Sequence, residues 1–143
     1  MRKEMHMTFS ADSVNEGLAR VAVAAFVAEL NPTMEEIEDI RTSVSEAVTN
    51  AIIHGYEERD GLVELHCVLL DRILHIEVKD MGKGIFDIEQ AKKPFYTTKP
   101  QEERSGMGFA FMEAFMDVVK VESELQFGTR VILEKEIGTV KDE

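Results

Sequence analysis

The sequence predicts an α+β protein, a two-layer sandwich in which helices cover one face of a sheet. Two pairs of β-rich runs, each pair joined by a short turn, predict antiparallel hairpins, and helical patterns precede the first pair and separate it from the second. Each element has one apolar face to bury, and strands paired by hairpins with helices between the pairs bury theirs by stacking in two layers. With 143 residues, the chain fits one domain, 1–143, long enough to form a core without disulfides.

Met5, Met7 and Phe9 alternate with polar residues and predict a strand with one buried face. Ser13 and Glu16 have the spacing of a capping box, so a helix is expected from there to about Leu30. Val14, Leu18, Val21, Ala22 and Ala25 recur on one side as its core stripe. Arg20, Val23, Ala24 and Val27 lie opposite, which makes the helix apolar nearly all round over 21–28. Such a helix is either buried on both sides or docks on a partner; its outer face, with Arg20 projecting, is the candidate docking patch.

A second capping box, Thr33 with Glu36 beside Pro32, opens a helix expected to reach about His54 and to close at Gly55. Its core stripe is Ile37, Ile40, Val44, Ala47, Val48, Ala51 and Ile52. Residues 62–70 and 73–79 flank Asp71-Arg72 and read as the first hairpin. A third helix is expected over 108–115, and a second hairpin over 118–124 and 129–135, turning at Gln126-Phe127-Gly128.

Composition excludes several function classes. A formal charge of −12 repels a phosphate backbone, which argues against nucleic acid as a partner. No apolar run approaches the roughly 18 residues that span a bilayer, and no signal-peptide core follows Met1. The single Cys67 has no intrachain partner. These features predict a cytoplasmic protein that makes no membrane contact.

Three clusters carry chemistry. Glu46, Asn50 and His54 stand four apart along one flank of the second helix, away from its core stripe. A carboxylate and an amide oxygen one turn apart suit a hydrated Mg²⁺ with a base beside it; the same row also fits an ordinary solvated face. Asp80-Met81-Gly82-Lys83-Gly84 follows a strand, and its glycines permit close backbone approach to a flat or phosphorylated ligand, or merely form a turn. Gly106-Met107-Gly108 opens a helix, where free amides and the helix dipole favour phosphate. Between the glycine pairs run Lys92, Lys93, Thr97, Thr98, Lys99 and Arg104, a basic, hydroxyl-bearing segment in an acidic protein that fits a phosphate-facing lid over about 86–106 or a solvated loop.

In chain order, Glu46-x-x-x-Asn50-Ala51, Asp80-x-Gly82-x-Gly84 and Gly106-x-Gly108-Phe109 resemble the N, G1 and G2 boxes of the GHKL ATP-binding superfamily, and Gly128-Thr129 resembles its late threonine. The stretches "NEGLARVAVAAF", "SEAVTNAIIHGY", "FYTTKP" and "ERSGMGFAFMEAFMD" further resemble the superfamily's anti-sigma-F branch in spore-forming bacteria. The resemblance implies a Bergerat fold with a mostly antiparallel mixed sheet covered by helices on one face. It implies a protein serine kinase that uses Mg-ATP, leaves ADP, and sequesters a sporulation sigma factor, sigma F, while phosphorylating an anti-anti-sigma factor. A homodimer is also implied. Residue by residue, Glu46 takes the base position and Asn50 holds Mg²⁺. Asp80 accepts from the adenine amino group with Thr129 in support, Gly82 and Gly84 wrap the adenosine, and Gly106 and Gly108 present amides to the phosphates. Lys99 and Arg104 are placed near the terminal phosphate by charge alone, and Thr98 belongs to the hydroxyl-bearing segment that would bind the nucleotide. The alternatives are a histidine-kinase ATPase module, which would need its phosphoacceptor histidine on a separate hairpin, and a nucleotide-gated sigma-binding module without kinase activity.

Overall fold

The computed structural model describes residues 2–56, 60–85, 88, 92 and 108–138. Five strands form one sheet in the order β1 (Arg2–Ser10), β2 (Leu62–Leu70), β3 (Ile73–Asp80), β5 (Gly128–Glu136) and β4 (Val118–Glu124). All four pairings are antiparallel, so the described strands go further than the mostly antiparallel sheet expected. The turns fall at the expected residues. Asp71 takes φ 55° between β2 and β3, and Gln126 takes φ 71° between β4 and β5.

Alternation along each strand sorts side chains between two faces. Leu65, Cys67 and Leu69, Leu74 and Ile76, and Leu133 point into the core beneath the helices. Glu4, His6, His66, His75, Glu77, Arg130 and Glu134 occupy the open face. Among the described residues, no helix is long and apolar enough to cross a membrane.

Helix α2 (Met34–Asn50) forms as its sequence dictates. Thr33 Oγ accepts from the Glu36 amide at 3.1 Å, and Glu36 Oε1 accepts from the Thr33 amide at 2.8 Å, completing the capping box. Ile40, Val44, Ala47, Val48, Ala51 and Ile52 are buried, and Ile37 packs on the core from its edge. The last turn, Ala51–Gly55, widens into a π-turn in place of the expected continuation of the α-helix.

Helix α1 (Asn15–Val27), continued by a 3₁₀ turn to Leu30, departs from expectation in two ways. Its N-cap residue is Val14 and makes no side-chain cap; the Asp12 carboxylate takes the Val14 amide at 3.1 Å, while Glu16 turns inward and accepts from the Ser45 hydroxyl of α2. The faces are also exchanged. Ala19, Val23, Phe26 and Val27 are buried, whereas Val14, Leu18 and Val21, expected in the core, are more than half exposed. An almost wholly apolar helix has no polar side to turn outward, so packing decides: α1 lies against α2, and the Glu16–Ser45 bond fixes its rotation. The apolar outer patch therefore exists, but Val14, Leu18 and Val21 form it instead of Val23 and Val27.

Helix α3 (Gly108–Phe115) occupies its expected span and packs on α2, burying Phe109 and Met112. Helices α1, α2 and α3 thus sit on one side of the sheet, whose edges among the described strands are β1 and β4.

Candidate functional site

The site lies where β3 ends and α2 unwinds. Asp80 closes β3 opposite Thr129 of β5, and alternation points its carboxyl toward the helix layer, into the end of the apolar core. It is 5% exposed. Burial pushes this carboxyl up to about 6, although backbone N–H groups of Gly82 and Thr129 favour the charged form. Gly82 N donates to Asp80 Oδ1 at 2.9 Å. A buried acid with so few donors among the described residues is a strong acceptor.

The backbone around it is crowded. A Cβ on Gly82 would overlap the carbonyl of Gly55, so the expected glycine there is a steric necessity. Gly84 takes φ +79°, and a side chain there would also strike Glu124 of β4. Lys83 N donates to Gly55 O at 2.9 Å, pinning this loop to the π-turn. Single π-turns in α-helices gather at functional sites, and this one brings the end of α2 against the end of β3.

Glu46 and Asn50 enter from α2, both partly buried. The Asn50 Nδ2 atom is buried with no hydrogen-bond partner among the described residues. Leaving a buried amide unpaired is costly, and such an orphan calls for an explanation. The carboxamide can turn over to offer its oxygen, so a hard cation with an oxygen-rich shell fits this position. Gly108, buried, opens α3 beside α2. The structure thus brings Asp80, Gly82, Gly84 and Thr129 together. Thr98, Lys99, Arg104, Gly106 and the lid expected over about 86–106 lie outside the described residues, apart from Ile88 and Lys92, whose backbones share a 3.1 Å hydrogen bond.

Three participants were missed in the sequence. Gly55 had been read only as a helix stop, yet a Cβ there would come within 2.7 Å of the Asp80 carboxyl carbon. Tyr56 accepts the Met81 amide on its hydroxyl at 2.8 Å and donates to Leu62 O at 2.6 Å, bracing the loop after Asp80. Ser123 stands opposite Thr129 across β4 and β5; its hydroxyl lies 2.9 Å from Thr129 Oγ1 and accepts the Ile85 amide at 2.7 Å. Only the strand register reveals Ser123.

A family model described as a histidine kinase-like ATPase domain matches residues 9–135. A protein named Anti-sigma F factor in Geobacillus kaustophilus is 58% identical, with 99% of this chain and 97% of that one aligned. Proteins of the same name in Clostridium acetobutylicum and Bacillus subtilis are 54% and 52% identical, each over 99% of this chain and over 99% and 97% of their own. The chain belongs to the anti-sigma F factor family, on a histidine-kinase-like ATPase fold. A solved structure of the RsbU and RsbW domains of a Mycobacterium tuberculosis protein superposes with a TM-score of 0.64 at 21% identity, covering 98% of this chain and 34% of that longer one; it attests the fold. An ATPase domain implies ATP as the ligand of the family's cradle, and the buried Asp80 acceptor between close-packed glycines suits a flat base with an exocyclic amino group.

Proposed function

We propose that this chain is a sigma-factor antagonist and protein serine kinase. It sequesters a sporulation sigma factor, sigma F, from core RNA polymerase, and it phosphorylates a serine of the anti-anti-sigma factor with Mg-ATP. The observation that carries the nucleotide part is the buried Asp80 carboxyl, hemmed by Gly55 and Gly82, with Asn50, whose buried amide has no hydrogen-bond partner among the described residues, near the end of the same helix α2. The regulatory part rests on the names of the relatives at 52–58% identity.

Asp80 accepts from the adenine amino group, and Thr129, held by Ser123, supports it. Gly82 and Gly84 bring backbone against the nucleoside, and Gly106 and Gly108 turn amides toward the phosphates. Mg²⁺ on Asn50, when bound, offsets phosphate charge. The partner's serine oxygen attacks the terminal phosphorus, the bond to the bridging oxygen breaks, and ADP leaves. Glu46 takes the serine proton, and Arg104, Lys99 and Thr98 steady the transferring group. Phosphoryl transfer needs such positioning and charge neutralisation more than covalent help from the enzyme. The protein works as a cytoplasmic homodimer, and Arg20 of α1 engages the protein partner.

The test is incubation with ATP labelled on its terminal phosphate, with and without the anti-anti-sigma partner, followed by acid treatment. Acid-stable label on a partner serine is expected. The family model's description favours one other reading, a histidine-kinase module, and acid-labile label would select it. Tight ATP binding without transfer would leave a nucleotide-gated sigma-binding module. Glu46→Gln is expected to retain ATP affinity and lose about 10²- to 10⁴-fold in transfer rate; transfer at the parent rate would remove Glu46 from the base position.

A further inference from the structure

The open face of the sheet carries three of the chain's four histidines, and two of them form a direct cross-strand pair. His6 of β1 stands opposite His66 of β2, with their rings stacked at 3.9 Å between centroids and 12° between planes. Glu4 precedes His6 by two residues, and a strand's period of two puts it on the same face. Its Oε1 lies 2.8 Å from His6 Nε2 and 3.0 Å from His66 Nε2. The three donor atoms all fall within 4.8 Å of one another.

We propose that Glu4, His6 and His66 form a binding site for a divalent transition ion of the zinc class, on the face of the sheet opposite the helices. Two imidazole nitrogens with one carboxylate oxygen suit zinc and its neighbours; magnesium and calcium prefer oxygen alone. Tetrahedral zinc with ligands at about 2.0–2.1 Å keeps its donor atoms about 3.3 Å apart. The carboxylate needs to withdraw by a few tenths of an ångström from each ring, and because an ion lies in the plane of each imidazole that binds it, the two stacked rings must also turn toward each other about their side-chain torsions; three protein ligands then leave a fourth position for water.

A second carboxylate stands on the far side of one ligand. Glu77 of β3 places Oε2 3.6 Å from His66 Nδ1, the ring nitrogen turned away from Glu4. At that separation the carboxylate is an ion-pair neighbour and not a hydrogen-bond acceptor; drawn in by about half an ångström, it would hold the proton on Nδ1 and leave Nε2 free to bind metal. Glu77 is in turn flanked by His75 Nε2 at 3.4 Å and Arg130 at 3.9 Å, so it belongs to a braced row across the sheet. Because β1 is an edge strand, the site opens to solvent along one side. The site is independent of the nucleotide cradle and of the kinase proposal.

The test is titration of the purified full-length chain with Zn²⁺ against a chromogenic chelator, without nucleotide and with excess Mg²⁺ to mask the oxygen-rich site. Co²⁺ absorption reports the coordination geometry. The expected result is one ion per chain with tetrahedral Co²⁺ bands. His6→Gln and His66→Gln should each weaken binding by more than about tenfold, Glu77→Gln by about tenfold, and the neighbouring His75→Gln not at all. These side chains face solvent, and thermal melts without metal that match the parent will show that each variant is folded. Absence of stoichiometric binding by the parent would overturn the site. So would binding that survives in the His6→Gln/His66→Gln double variant.

Discussion

The two long helices lie against each other, yet they are held by different means. α2 has a complete capping box, a contrast between apolar and polar flanks, and a far end welded to the strand that carries Asp80. α1 has no side-chain cap and leaves Val14, Leu18 and Val21 in solvent; its rotation is set by its packing on α2, with one inward glutamate bonded to Ser45 of that neighbour. A helix with its own polar contrast can anchor a site. One that borrows its orientation from a neighbour keeps a surface to offer.

Truncation of the core face of α2 breaks this contrast most strongly. Ile40 is fully buried, so Ile40→Ala should lower the unfolding free energy by about 2–5 kcal/mol, while Leu18→Ala on α1, where the residue is 51% exposed, should stay within about 0.5 kcal/mol. Denaturant unfolding measures both. A Leu18→Ala loss as large as that of Ile40→Ala would mean that the outer stripe of α1 is covered in solution.

Asp80, at the far end of α2, gives the next effect. An acid whose pKa is higher folded than unfolded stabilises the fold while protonated. That contribution is complete below 3.8 and disappears as pH rises through about 6. Asparagine has no such proton to lose, so nucleotide-free Asp80→Asn should equal its parent near pH 3 and exceed it at neutral pH by up to about 3 kcal/mol. Its ATP affinity should fall about 10- to 100-fold. Thermal melts across pH and a nucleotide titration read the two effects, and a variant no more stable at neutral pH would show that burial does not strain this carboxyl.

Arg20 tests whether α1 uses its surface. Its Nε is buried without a hydrogen bond among the described residues, 3.7 Å from Glu16 Oε1, and its side chain is 36% exposed. Arg20→Ala should weaken sigma-factor binding about tenfold or more while leaving ATP affinity unchanged; an unaltered sigma affinity would return Arg20 to a packing role. The smallest effect separates the two helix starts. Thr33→Ala should cost about 1 kcal/mol, and Ser13→Ala close to nothing, because only Thr33 caps an amide through its side chain.

Where the chain marks its own polarity, its structure was legible. The capping box and stripe of α2, both hairpins and the span of α3 follow from short-range rules. The rotation of α1 did not, because Glu16 matches a capping box in sequence but finds a better partner in Ser45, twenty-nine residues on. In the site, Asp80, Gly82 and Gly84 were legible as an acidic residue and two glycines after a strand. Ser123 and Tyr56 were not, since a cross-strand hydroxyl and a loop-bracing phenol acquire their roles only through register and close approach. Gly55 held two roles, and the local signal showed only the helix stop.

The placement of β3 as the third of five strands has a consequence for endurance. Proteins open in parts, and edges open before centres. β1 and β4 each have one neighbour and can peel away at modest cost, whereas freeing β3 means breaking ladders on both sides. Asp80 thus rides on a strand that should be among the last of the described segments to open. A ligand held at Asp80 would keep its floor even while the rims of the sheet breathe.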